Sequence, residues 1–119
     1  MTVRRVPFAA TAWLFVAGVV AQVTLAGTAL FELSDWTVHT GLGWGLPLVA
    51  ILVLALAFVA RADRRTLWLT LALTVSANVQ PSLAEVRSVA PLVAALHPVN
   101  ALLVFWLAVV VARRSLDRD

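Results

Sequence analysis

Four stretches of almost unbroken apolar sequence, separated by short polar joints that gather nearly all of the arginines, dominate this chain. Each is close to the ~20 residues that an α-helix needs to cross the ~30 Å hydrocarbon layer of a bilayer. The runs are continuously apolar rather than alternating. A backbone in lipid must satisfy its own hydrogen bonds, so helices are expected and barrel strands are not. The expected fold class is all-α, a four-helix transmembrane up-down-up-down bundle with helices over residues 6–33, 36–60, 66–84 and 91–112. These spans use nearly all of the 119 residues, so a single membrane domain over 1–119 is expected, with nothing left for a soluble one. Composition agrees: 62% of the residues are hydrophobic and 13% charged, against about half and a quarter in soluble domains.

The arginines orient the bundle. Arg4 and Arg5 precede the first run, Arg61, Arg64 and Arg65 close the second, and Arg113, Arg114 and Arg118 follow the fourth; Arg87 alone falls on the other side. The positive-inside rule then predicts both termini in the cytoplasm, with the chain in a bacterial inner membrane. The first run is too long for the ~7–15-residue core of a signal peptide, and Arg4-Arg5 reads as an anchor rather than a twin-arginine export signal. Arginines that flank apolar runs do not make a nucleic-acid surface. With no cysteine, disulfides, thiolate metal sites, iron–sulfur clusters and covalently attached haem are excluded.

Polar groups within a bilayer are costly and mark function, and here they are lopsided. Gln22, Thr24, His39, Thr40, Asn78, Gln80, His97 and Asn100 all lie in the outer halves of their runs, while the inner halves are aliphatic. One polar interior site open to the outside is the economical expectation. His39 and His97 are the two histidines, on helices two and four, which run in the same direction and should be diagonal partners. Two neutral imidazoles can hold both axial positions of a haem iron, and Gly43 and Ala101, one turn below them, leave room for the macrocycle. On this reading His39 and His97 are metal ligands to haem b, Gln22, Asn78 and Asn100 line the site, and Arg87 neutralises a propionate or a lipid headgroup. The plainer alternative is that each histidine hydrogen-bonds a neighbouring helix.

Depth weighs against a shared iron. His39 lies 22 positions from Arg61 and His97 lies 16 from Arg113, a height difference of about 9 Å at the α-helical rise, unless tilt or bends at Pro47 and Pro98 absorb it. Glu32, Asp35 and Glu85 are expected in solvated loops, one of them paired with Arg87. Trp13, Trp36 and Trp68 read as interfacial belt residues, and Trp44 and Trp106 as packing. Gly18, Ala26, Gly43, Ala77, Ala101 and Ala108 should allow close helix approach. Ser115 to Asp119 reads as a solvated tail.

Val20-Ala-Gln22-Val-Thr-Leu-Ala-Gly27, His39 with Gly43, Val79-Gln80, and Ala95-Leu-His97-Pro98-Val-Asn100-Ala101 together resemble a family of small bacterial four-helix membrane proteins without assigned function. More loosely, two histidines toward the outer ends of two helices are similar to one four-helix half of haem A synthase. That resemblance implies axial ligation by His39 and His97 in a haem-b electron carrier rather than a catalyst, since the cysteine-bearing outer loop has no counterpart here. The expected partners are the lipid bilayer and quinone or a redox partner subunit, with a homo-oligomer as a further expectation. The competing expectation is a small structural or assembly subunit without cofactor. A multidrug-type exporter is disfavoured because Gln22 stands where such proteins resemble one another in a membrane-embedded glutamate. No serine, lysine or carboxylate stands beside a histidine as a catalytic arrangement would require.

Overall fold

The computed structural model describes residues 3–117. Its elements are α1 (Arg5–Leu30), α2 (Thr37–Val59), α3 (Arg64–Glu85), a 3-10 turn (Val86–Ser88), α4 (Pro91–Ala94) and α5 (Leu96–Arg114). α4 and α5 follow one another across Ala95 as one apolar rod, Pro91–Arg114. Consecutive helices run antiparallel. Gly18 faces Leu46 across α1 and α2, the Thr74 hydroxyl donates to the Ala50 carbonyl across α3 and α2 at 3.1 Å, and Asn100 donates to the Ser76 carbonyl across α5 and α3 at 2.9 Å. α1 also packs on α5, closing a four-cornered bundle in which, among the described residues, the diagonal pairs α1/α3 and α2/α5 bring no Cα atoms within 8 Å. One end carries the arginines around Arg61–Arg65 and Arg113–Arg114; the other carries both histidines.

Local chemistry sets the helix ends. α1 stops at Leu30, earlier than the apolar run suggests, because Glu32 turns left-handed (φ 58°). Its N–H and that of Leu33 then bond back to the Ala29 and Thr28 carbonyls at 3.2 and 2.8 Å, satisfying acceptors that a helix end leaves open. α2 ends in the same motif: Arg61 is left-handed (φ 54°), and the Arg61 and Ala62 N–H groups bond the Phe58 and Ala57 carbonyls, both at 3.0 Å. Neither position is glycine, so each stores about 1 kcal/mol of backbone strain. α3 starts at Arg64 rather than 66 because Asp63 is an N-cap, its carboxylate accepting the Arg65 and Thr66 N–H groups at 2.9 and 3.1 Å.

The core occupies the arginine-rich half. Phe8, Phe15, Val53, Ala57, Leu73, Ala108 and Val111 are all essentially inaccessible. Small residues bring the helices together, as expected at Ala77 and Ala108 and additionally at Ala50, Ala57 and Ala112. A methyl added to Gly18 would lie 2.7 Å from the Leu46 Cδ2 atom. Toward the histidine end this packing stops: no residue of α2 from Thr37 to Leu46, and none of α5 before Val104, is buried. The outer surface is largely apolar, with Leu14, Leu48, Phe58 and Leu102 all exposed. Trp44 and Trp106, expected as packing, are instead 52% and 57% exposed and point outward.

Three helices, Arg5–Leu30, Thr37–Val59 and Pro91–Arg114, are long and apolar enough to cross a membrane. The chain is accordingly a helical membrane protein. α3 falls short on composition because it carries polar residues along its length, of which Thr66, Thr70 and Thr74 are buried. Thr70 returns its hydroxyl to the Thr66 carbonyl at 2.8 Å, and Thr74 shares its one hydroxyl hydrogen between the Ala50 carbonyl and the Thr70 carbonyl, the latter at 2.9 Å, which removes most of the penalty of burying an O–H.

Candidate functional site

The polar residues of the histidine end form two junctions rather than one site. The first joins α1 and α2. His39 Nδ1 lies 3.1 Å from the Gln22 carbonyl; a carbonyl only accepts, so this nitrogen is the donor. Trp36 packs edge-on against the imidazole, with centroids 5.4 Å apart. The Gln22 side chain lies over Gly43, where a Cβ would come within 2.8 Å of its amide nitrogen. Its amide oxygen is buried without a hydrogen-bond partner among the described residues, a costly state for a polar atom.

The second junction joins α3 and α5 and is denser. His97 Nδ1 donates to the Gln80 carbonyl at 2.9 Å, while the Gln80 amide donates to the His97 carbonyl, also at 2.9 Å. Asn100 adds bonds to the Ser76 carbonyl at 2.9 Å and to Gln80 Oε1 at 2.6 Å. Pro81 follows directly, and its missing N–H breaks the local helix ladder beside the carbonyls that receive His97 and Asn100. The plainer expectation for the histidines, a bond to a neighbouring helix, describes both.

The remaining sequence candidates stand apart from these junctions. Asn78 is exposed, with its amide donating back to the Thr74 carbonyl at 2.8 Å. Arg87 is exposed on the 3-10 turn and forms no ion pair with Glu32, Asp35 or Glu85. Asp35 instead accepts the Thr37 N–H at 2.8 Å, a backbone hydrogen bond that holds its carboxyl below the ordinary range.

The fit to haem b is tested by register. His39 precedes Ala50 by eleven residues, and Ala50 is level with Thr74, so His39 stands level with Glu85 of α3, whereas His97 is level with Gln80. That offset is about 8 Å along the bundle at 1.5 Å per residue, between two helices on its diagonal. In this register the two imidazoles do not meet at one iron. No group of three or more histidine, cysteine or acidic side chains among the described residues could hold a metal ion.

One polar cluster escaped the sequence reading. At the arginine-rich end, Arg114 donates to both oxygens of Asp63 at 3.1 Å and to the Thr66 hydroxyl at 2.8 Å, and that hydroxyl itself donates to the Asp63 carboxylate. The Thr66 hydroxyl, the Thr66 N–H and Arg114 hold the Asp63 carboxyl well below its ordinary range. The signal was present as an aspartate three residues ahead of a threonine at a helix start. Ser115, expected in a solvated tail, is buried with its hydroxyl on the Ala112 carbonyl at 2.6 Å. Leu116 is exposed, Arg5 reaches the Asp117 carbonyl, and residues 118 and 119 of that tail lie outside the described residues.

These features define a class, a small helical membrane protein with interhelical polar junctions concentrated toward one end. The chain belongs to the family of unknown function DUF6220, whose model matches residues 22–89, more than half of the sequence. The matched segment contains Gln22, His39, Gly43, Asn78 and Gln80 and ends before His97 and Asn100. No curated protein and no solved structure matches the chain.

Proposed function

We propose that this protein is a small structural or assembly subunit of a membrane complex, crossing the bilayer four times with both termini on the cytoplasmic side. The arginine-rich end supports that orientation, and α3 serves as the fourth span because α2 and α5 flank it and shield its threonines. The observation that carries the assembly role is Asn78. By the Ala50–Thr74 register it is level with Leu46, about 14 Å below the histidine end of α2, where an exposed amide faces hydrocarbon. One amide N–H is satisfied by Thr74, while the Oδ1 has no partner within the described chain. Polar side chains at such depth almost always face protein, and an amide offers both a donor and an acceptor to a neighbouring helix, of a second copy or of another subunit. In mild detergent the wild type should migrate as a complex that Asn78→Leu dissociates, with helicity retained. An identical monomer for both proteins, in detergent and after cross-linking in native membranes, counters the proposal.

The haem-b electron carrier remains a second reading, favoured by one feature: both Nδ1–H groups are anchored on backbone carbonyls, the arrangement that orients an imidazole Nε2 for a metal. His39 and His97 would be the ligands, and the group would supply one-electron chemistry toward quinone or a redox subunit. This requires α2 to shift by about 8 Å against α5 to bring the imidazoles level.

A further inference from the structure

Outside both junctions, the arginine-rich end of α3 carries an open, shallow groove of about 520 Å³ bordered almost wholly by apolar atoms, the stems of Arg64 and Arg65 with Trp68 and Leu69. Arg64 with Trp68, Arg65 with Leu69, and Arg65 with Trp68 are three or four residues apart, so all four share one side of the first turns. Both arginines are exposed, and Trp68 is 60% exposed. The nearest acid is spent elsewhere: Asp63 is held by Arg114 and by the backbone and hydroxyl donors described above. Neither Arg64 nor Arg65 forms an ion pair among the described residues. Two guanidinium groups in the first turn of a helix also oppose its dipole, so they do not serve the stability of α3. Positive-inside orientation accounts for arginines anywhere on this surface, but not for two exposed guanidinium groups whose stems border one apolar groove with an exposed indole.

We infer that this groove binds an anionic glycerophospholipid, its phosphate between Arg64 and Arg65 and its acyl chains along Trp68 and Leu69. Charge complementarity selects the occupant: guanidinium forks match phosphate oxygens, the indole suits the headgroup level, and Leu69 continues into the apolar layer. The inference rests on this end of α3 lying at the bilayer surface. Protein that carbonate extracts from membranes would overturn that premise, independently of any lipid result.

The test uses full-length protein purified in neutral detergent and exchanged into micelles doped with phosphatidylglycerol or phosphatidylcholine, with retained lipid counted by mass spectrometry. Phosphatidylglycerol should be retained over phosphatidylcholine. Retention should fall about fivefold in each of Arg64→Gln and Arg65→Gln, given the usual worth of a basic residue at an anionic surface, and should fall in Trp68→Ala, but hold in Arg113→Gln, which lies at the same end outside the groove. An equal loss in Arg113→Gln would make the attraction diffuse and overturn the site. So would equal retention of phosphatidylcholine. Displacement of the lipid by millimolar inorganic phosphate would overturn the lipid assignment in favour of a free-phosphate site.

Discussion

Replacing Gln80 with leucine removes the one side chain that serves the α3–α5 junction in both directions. Its Nε2 bond to the His97 carbonyl and its Oε1 bond from Asn100 are both lost. The His97 Nδ1 bond to the Gln80 carbonyl and the Asn100 bond to Ser76 do not depend on that side chain. The His97 carbonyl can still accept within α5, and the Asn100 amide keeps Ser76 but loses the acceptor of its second N–H. Interhelical hydrogen bonds in membrane proteins average about 0.6 kcal/mol and reach about 1.7, so losing two should cost about 1–2 kcal/mol. Asn100→Leu should cost a similar amount, because it removes the shared bond and the Ser76 bond. The double variant should fall short of the sum by about 0.5–1 kcal/mol, because the Asn100–Gln80 bond is removed only once. Reversible unfolding in mixed micelles, followed by far-UV circular dichroism, measures all three. A neutral or stabilising Gln80→Leu, with no coupling to Asn100→Leu, would refute the junction as a source of stability.

Two further predictions concern the arginine-rich end. Arg61→Gly should raise unfolding stability by about 1 kcal/mol by relieving the left-handed position that closes α2, measurable as an upward shift of the midpoint in the same assay. Asp63 has a carboxyl held low in the folded state, chiefly by the Thr66 hydroxyl and further by the Thr66 N–H and Arg114. Its contribution is therefore fully present above the unfolded carboxyl range and is lost as pH falls through the folded value. Wild-type stability should decline below about pH 4, and Asp63→Asn should be less stable at neutral pH with a shallower acid decline; identical acid profiles would count against the cluster.

The helices were legible because apolar length and arginine spacing are linear properties of the chain, and the lipid-facing surface imposes no finer pattern to misread. Bounds moved where local hydrogen bonding intervened. Glu32 and Arg61 close α1 and α2 in left-handed conformations that favour glycine, so nothing in their identity announced the stop. The polar residues were found, but their grouping was not. Position along each helix placed Gln22, His39, Gln80, His97 and Asn100 at one end, whereas rotation about each axis divided them between the α1–α2 and α3–α5 pairs and left Asn78 on the flank. Trp44 and Trp106 turned outward for the same reason: depth is readable from sequence and azimuth is weakly so when every face is apolar. The Asp63–Thr66–Arg114 cluster joins residues far apart in the chain, and its distant member looked like one more anchor among many.

Whether the two histidines hold helices or iron decides between the readings most directly. Protein expressed with added haem precursor and purified in detergent should show, oxidised and dithionite-reduced, no Soret or α band above background, while His97→Ala lowers stability by about 0.6 kcal/mol. A sharp reduced α band, lost in both His39→Ala and His97→Ala, would contradict the structural assignment and require α2 and α5 to bring their imidazoles level.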